Sequence, residues 1–438
     1  MGTEIDLTVG RITLDWSKNS KGIDHGILFQ PSDLTRRKTD QIRYEYYADK
    51  SDEELAPNEA TFARHLRNVL PRLNLLGHTL ETARTEYEAA VVEAIEYSSY
   101  GDEPAKTSAD YMTFEEFCAF SSQFRIDDLD TTYIDLDNRD EEDRLARGRF
   151  DALRGEFARI PHAEYDNTFW SERSYFGSEV NILSSYAMLQ IFGLNEQNLD
   201  TEVLWQFGPL VESGWASASA FVAGARRSDQ VLVATEGTSD TRVLRRAIDL
   251  LEPDIADFFR FIDVDQSHPF PGTGNLVKFA EGLVQIDVQN RIVFVLDNDA
   301  EGIAAHQKIE AMRKPPNMRT MILPELQEFE AFPTRGPEGA TTSDINGRAA
   351  AIECYLDLNL PGRPPPSVTW TNYKLDLDRW QGALDHKDTY LRRFLKTDRE
   401  ALLAGSYDVR KLRLVLDALM KEATLLAVDD RLAPSLPG

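Results

Sequence analysis

The sequence predicts an α/β domain, a parallel sheet flanked by helices, set between a mainly α-helical front module and a C-terminal helical segment. Three observations predict it. From Asp229 onward, short apolar runs alternate with helical patterns; before Asp229, apolar residues recur mostly three and four positions apart; and acidic residues stand at the ends of the apolar runs, not inside them. The expected divisions are residues 1–225, 226–345 and 346–438, in keeping with the two or three domains that 438 residues allow.

Within residues 1–30, EIDLTVGRITLDW and SKNSKGIDHGILF alternate apolar and polar side chains around a Gly/Asn/Ser-rich break and read as a β-hairpin, whose turn His25 stabilises. From Asn58 to Tyr97 the spacing predicts helices interrupted by Pro71 and Gly77. Residues 127–143 carry nine acidic side chains against Arg139 alone, which predicts a solvated, mobile loop; the Gly and terminal Glu of an EF-hand calcium loop are missing. Helix is expected again through SEVNILSSYAMLQIFGL and SGWASASAFVAGA. Trp16, Trp170, Trp205 and Trp215 are expected in the core.

The apolar runs of the α/β block are VLVATE (231–236), FFRFIDVD (258–265), RIVFVLDND (291–299) and MRTMILP (318–324). They are mostly continuous where a half-exposed strand would alternate, and TRVLRRAIDLLE, NLVKFAEGLVQI and AEGIAAHQKIEAMRK lie between them with helical spacing. Strands buried on both faces and separated by helices mark a parallel sheet. After FPTRGPEGATTSD comes a last helical region, broken by LPGRPPPS (360–367), whose three consecutive prolines make a stiff extended connector.

Charge and composition exclude several classes. With 48 Lys and Arg against 74 Asp and Glu the formal charge is -26, so a basic, DNA-coating protein is excluded, and contact with phosphate requires local basic patches or bound cations. Two cysteines, Cys118 and Cys354, are too few for a disulfide framework or a Cys-rich zinc site and are expected as buried side chains in a reduced compartment. MGTEIDLTVG lacks the order of a signal peptide, and no apolar run is long enough to cross a bilayer, so a cytoplasmic protein without membrane partners is expected. No GxxxxGK[ST] loop is present.

Ligands of open parallel sheets gather beyond the carboxyl ends of the strands. There the sequence places Glu236, Asp265, and the pair Asp297 and Asp299. Such a cluster of like charge is not held ionised without a cation. Oxygen donors with no His or Cys beside them favour Mg2+ or Mn2+, one ion or two, over zinc. Asp297 and Asp299 project to one side of an extended strand end with Asn298 turned away, and Asp240, one turn into the next helix, faces the same cleft. Gly237 and Gly302 are expected to leave room for a phosphate and its water. Two other readings of these acids are a phosphoryl-accepting DxD of the haloacid-dehalogenase type, against which Glu301 and the preceding EGTSD argue, and simple capping of the helices that follow.

These residues resemble a known family. A strand ending in Glu236, which opens EGTSD, followed by a strand ending in the DxD of VLDND in β-α-β-α-β order, is similar to the Toprim catalytic domain of topoisomerases, primases and overcoming-lysogenization-defect (OLD) nucleases, the acid four residues after Glu236 being most like the OLD type. The opening DLTVGRITLDWSKNS and DHGILF resembles the N-terminal module of bacterial HEPN/Toprim-associated proteins, a helical HEPN-like module. The resemblance implies that Glu236 is the general acid or base, that Asp240, Asp297 and Asp299 hold metal, and that a later acid and lysine, offered here by Glu353 and Lys387, complete a second site. HEPN domains cut RNA with an Arg-x4-6-His pair, whose spacing Arg72 and His78 meet.

The expected function is therefore a metal-dependent phosphodiester hydrolase, a Toprim endonuclease on DNA, with RNA, including transfer RNA, as the second substrate class. Arg242, Arg245, Arg246, Lys278, Arg392, Arg393 and Lys396 are candidates to guide the backbone. A topoisomerase lacks a strand-passage apparatus here, and two cysteines cannot build a primase zinc ribbon. The resemblance further implies a role in anti-phage defence, a homo-oligomer, and a separate regulatory or ATPase partner, since OLD nucleases fuse an ATPase that this chain lacks. The non-enzymatic alternative is an acidic interaction protein that regulates a partner.

Overall fold

The computed structural model describes residues 2–39, 42–100, 104–135, 139–161, 169–262, 272–360, 362 and 364–432. It divides into two compact units, Met1–Gly224 and Ala225–Gly438. The architecture is mixed α/β, with one fully parallel sheet. Among the described residues no helix is long and apolar enough to cross a membrane.

The first unit contains an antiparallel sheet that the helical reading did not anticipate. Strands β1 (Glu4–Val9), β2 (Ile12–Lys18), β3 (Leu34–Arg36), β4 (Ala60–His65) and β5 (Glu202–Gln206) stand in the order β2-β1-β5-β4-β3. The hairpin turn is Gly10–Arg11, both at positive φ, and not the SKNSKG break; the DHGILF segment forms a 3-10 turn at Gly26–Leu28. Ala60–His65 was expected as helix, but its apolar positions suit both periods, and pairing with Glu202–Gln206 decides for strand. Ile5, Leu7, Val9, Val203 and Trp205 turn inward to helices Leu66–Leu75, Leu80–Ser98, Phe114–Ser122 and Ser185–Phe192 in one aromatic-rich core.

Pro71 lies inside Leu66–Leu75 instead of ending it, while Gly77 at φ 78° lets the chain leave, with the Gly77 and His78 amides donating to the Asn74 and Leu73 carbonyls. His25 is buried, its Nε2 2.9 Å from Asp15 Oδ2 and Nδ1 3.1 Å from the Tyr186 hydroxyl, a tie between β2 and helix Ser185–Phe192. Only Trp205 of the four tryptophans is core; Trp16, Trp170 and Trp215 are about half exposed or more (62%, 46% and 53%). Both cysteines are buried. Within the acidic stretch, Ile126–Asp128 is a 3-10 turn and helix Arg139–Arg147 follows; residues 136–138 lie outside the described residues.

In the second unit β6 (Val231–Thr235), β7 (Phe259–Phe261), β8 (Arg291–Leu296) and β10 (Met318–Ile322) form a parallel sheet in the order β10-β8-β6-β7, and β9 (Asn298–Asp299) extends just beyond β8. Ile292, Phe294 and Leu296 face helices Thr273–Gln285 and Ala300–Glu310 in one cluster. Helices Thr238–Leu251 and Arg410–Leu432 pack together, and the latter also lies against β8 and β10.

The C-terminal stretch is not simply helical. β11 (Phe332–Gly336), β12 (Gly339–Ser343), β14 (Val368–Lys374) and β15 (Arg379–Leu384) make a second sheet, and β13 (Ala349–Ala350) pairs antiparallel with β9. The expected helix AAAIECYLDL is therefore this short strand and a 3-10 turn, Ile352–Tyr355: its first residues are claimed by pairing with Asn298 and Asp299.

Candidate active site

β6 and β8 are neighbours with Thr235 level with Val295, so the residues just beyond each strand, Glu236 and Asp297, meet. The Asp297 amide donates to Glu236 Oε1 at 3.1 Å. After Glu236 the chain turns at Gly237 into helix Thr238–Leu251; Thr235 and Thr241 hydroxyls, 2.7 Å apart, fasten the turn. Asp240 stands in the first turn, buried, with Oδ2 accepting from the Gly237 amide at 2.8 Å.

Asp299 caps helix Ala300–Glu310: Oδ1 accepts from the Gly302 amide at 2.7 Å, and Oδ2 accepts from Gln381 Nε2 at 2.6 Å. The Ala300 amide donates to the same Gln381 side chain at 3.0 Å. Asn298 turns away, buried, and accepts from the Gly347 amide at 2.8 Å. Asp297 Oδ1 accepts from the Ile352 amide at 3.0 Å, which seats the turn carrying buried Glu353 beside the strand ends. Lys387, exposed, is the first residue of helix Lys387–Lys396. Asp265 lies outside the described residues.

The six groups share one electrostatic environment. Burial, with the charges of Asp299 and Asp240, pushes the Glu236 carboxyl up to about 9. Burial and repulsion from Glu353 push Asp240 up to about 7, against the opposing pull of the Gly237 amide, Ser239 and Lys387. Asp297 is raised well above the ordinary carboxylate range by burial and by Asp240, Glu236, Asp299 and Glu353; burial also raises Asp299 although Gly302 and Gln381 hydrogen-bond its charged form. Glu236 and Asp297 nonetheless keep partial access to solvent.

Capping accounts for part of this arrangement. Asp299 and Asp240 both serve helix N-termini, a role worth about 1 kcal/mol that exposed acids fill equally well. It does not account for sinking four mutually repelling carboxyls together.

Among the described residues no three His, Cys, Asp or Glu side chains converge as a metal-holding group. The donor chemistry nevertheless fits a small hard cation. Magnesium is characteristically bound through one or two carboxylates with waters and substrate phosphate completing the shell, and a carboxylate oxygen that accepts one amide retains a second lone pair. Gly302 serves the backbone and not a phosphate: a Cβ there would lie 2.1 Å from the Asp297 carbonyl oxygen.

The basic candidates separate. Arg393 is engaged by Asp357 at 3.1 Å, by the Asn359 carbonyl and by the Tyr407 ring, and Arg246 donates to the Thr397 carbonyl, so both hold the fold together. Arg245 lies over the Phe261 ring. Arg242, Lys278, Arg392 and Lys396 are exposed on their helices. In the first unit Arg72 is fully buried, donating to the Ile27 carbonyl at 2.8 Å, and buried His78 packs edge-on against Tyr186, so the pair is not presented to solvent.

Gln381 escaped sequence reasoning. It comes from a hairpin strand 82 positions from Asp299, and no local pattern links the two.

A family model described as HEPN/Toprim N-terminal domain 1 matches residues 1–229. No curated protein and no solved structure matches the chain.

Proposed function

The chain belongs to the HEPN/Toprim N-terminal domain 1 family, and on that premise we propose that its second unit is a Toprim-type, metal-dependent endonuclease of the OLD kind, with DNA as substrate. The observation that carries the reading is that Glu236, Asp240, Asp297 and Asp299 lie together at the carboxyl ends of β6 and β8, each with its proton affinity raised by burial, Glu236 and Asp297 also by the charges of the others and Asp240 by Glu353. Perturbed carboxyls that keep partial access to solvent at that end of a parallel sheet are what a working site of this kind requires.

Asp240, Asp297, Asp299 and Glu353 would hold Mg2+ or Mn2+, which when bound supplies charge neutralisation at the phosphate and a more acidic water. Glu236, whose carboxyl keeps its proton past neutrality, is suited to give a proton to the leaving oxygen or, once the surrounding charge is neutralised, to take one from water. The Asp297 amide fixes the orientation of that carboxyl. Lys387, within electrostatic reach of Asp240, opposes the negative charge that grows on the scissile phosphate. Lys278, Arg242 and Arg392 give the backbone local positive charge that the chain as a whole lacks. Pairing with a HEPN/Toprim N-terminal domain fits an anti-phage effector.

The test is incubation of supercoiled plasmid, single-stranded DNA and total RNA with Mg2+ or Mn2+, comparing wild type with the Asp297→Ala/Asp299→Ala protein. Metal-dependent loss of DNA by wild type alone is expected. Equal behaviour of the two proteins on every substrate contradicts the proposal, and selective loss of RNA moves it to an RNase.

A further inference from the structure

The first unit carries a cleft of about 800 Å³ that the proposed catalytic site does not use. Its floor is the outward face of the antiparallel sheet. Asp6 and Thr8 of β1 share that face with Leu204 and Gln206, their partners on β5, as the two-residue strand period requires. On β2, Thr13 and Trp16 are three apart and would face opposite ways in a regular strand. The register shift opposite Leu7 and Thr8 turns both to this face, Trp16 opposite Asp6 and Thr13 opposite Thr8.

One wall is helix Glu172–Val180. Ser171, Ser174, Ser178 and Asn181 follow one another at helical spacing along the cleft, and Gly177 lets the helix close on β2, since a Cβ there would lie 2.9 Å from Ile12 Cγ2. Trp16 and Trp170 line the cleft, 62% and 46% exposed. A rim of two open indoles over a floor of Thr8 and Thr13 hydroxyls, the Gln206 amide, the Asp6 carboxylate and Leu204 is unlike a core.

The larger cleft is locally positive, with Arg11, Lys38 and Arg173 against the single carboxylate of Asp6. The same three cations also line a smaller cleft of about 460 Å³ that adjoins it, there together with Asp127, Asp200 and Glu202. Neighbouring arginines are tied to acids, as Arg37 is to Glu202 and Arg64 to Asp33. Arg11, Lys38 and Arg173 form no ion pair among the described residues, in a protein of net charge -26. Arg11 and Arg173 are close enough to repel, and burial with that repulsion lowers the Arg173 pKa against the pull of Asp127 and Asp130. Arg173 Nε and Asn181 Oδ1, a donor and an acceptor, are buried with no hydrogen-bond partner among the described residues. Arg11 occupies the second position of a two-residue hairpin turn at φ 67°, where glycine is preferred, so the backbone accepts strain to keep a cation there.

We infer that this cleft binds a phosphorylated nucleobase, its ring against Trp16 and Trp170 and its phosphate among Arg11, Lys38 and Arg173. Indole faces stack on any base, guanidinium groups match phosphate oxygens, and the serine and threonine hydroxyls supply donors and acceptors for sugar and base edges. The same chemistry is offered by a free nucleotide and by one nucleotide of a strand.

The test titrates the full-length protein, in EDTA so that no metal site contributes, with AMP and separately with a short oligoadenylate, following tryptophan fluorescence and binding heat. Saturable quenching is expected with at least one of them, weakened about tenfold or more in the Trp16→Ala/Trp170→Ala protein. Saturation by AMP identifies a free nucleotide as ligand; saturation by the oligonucleotide alone identifies a strand. Arg11→Gly separates binding from folding: it relieves the left-handed strain, so its melting temperature is expected at or above wild type while binding weakens about tenfold. The inference is overturned if neither probe binds at ~1 mM, or if both variants bind as wild type does.

Discussion

The backbone amide of Asp297 donates to the carboxylate of Glu236 across the ends of two adjacent parallel strands. One hydrogen bond thus joins the residue just beyond one strand to the residue just beyond its neighbour, and two acids 61 positions apart become parts of one site.

Glu236→Gln keeps an oxygen to accept from Asp297 but cannot exchange a proton. Cleavage is expected to fall about 10²- to 10⁴-fold, with the melting temperature of the metal-free protein unchanged or higher, because one member of a repelling cluster is gone. Turnover and melting curves on the same preparation check both halves. A variant that cuts normally removes Glu236 from the chemistry.

The pH dependence of the metal-free protein has a definite sign. Glu236 moves from 4.5 to about 9 on folding and Asp240 from 3.8 to about 7, so the folded state holds protons that the unfolded state has released. Their contribution to stability is whole below pH 4 and is lost as the pH rises through about 7 and then about 9. Denaturant midpoints in EDTA are expected to fall from pH 5 to 9, and Mg2+ to flatten the decline by replacing the protons. A midpoint that climbs across that interval in the wild type but not in Glu236→Gln runs opposite to the expectation.

Gln381→Ala removes the donor to Asp299 Oδ2 and the acceptor of the Ala300 amide. A ligand whose orientation is set by such a neighbour typically loses about 10- to 100-fold in metal affinity or rate without it. Metal affinity measured beside cleavage distinguishes a positioning role from a general loss of fold, and Gln381→Glu, which keeps an acceptor but adds a charge, is expected to be worse than Gln381→Ala.

Arg72→Ala is expected to lower stability by about 2–3 kcal/mol by removing a fully buried, hydrogen-bonded guanidinium. Cleavage of any substrate per folded molecule is expected to stay as in wild type. Loss of an RNA-cutting activity without loss of stability would restore the Arg72–His78 pair as a catalytic site.

The parallel sheet was legible because VLVAT and RIVFVL are buried along nearly their whole length and so read as almost unbroken apolar runs, while MRTMILP, at the sheet's edge, is only partly buried. The antiparallel sheet was not. Ala60–His65 lies directly before a helix and its apolar residues fit either period, while its partner Glu202–Gln206 lies some 140 positions away and no local rule joins them. Trp16 was assigned to the core by residue type, but a bulge decides which face it takes, and bulges leave no trace in composition. The acids of the candidate site were legible at strand ends because a parallel sheet gathers those ends automatically. Glu353 and Gln381 arrive on a turn and a hairpin whose positions depend on long-range pairing, so the sequence reading placed Glu353 on a helix and passed over Gln381.

The most direct measurement of the central claim is calorimetric titration of Mn2+ into wild type and into Asp297→Asn/Asp299→Asn at pH 7.5. Saturable binding of one or two ions by wild type, lost in a variant that melts at or above the wild-type temperature, is the predicted result. Equal Mn2+ binding by the two proteins, or none by either, would contradict a metal site built from the strand-end carboxylates.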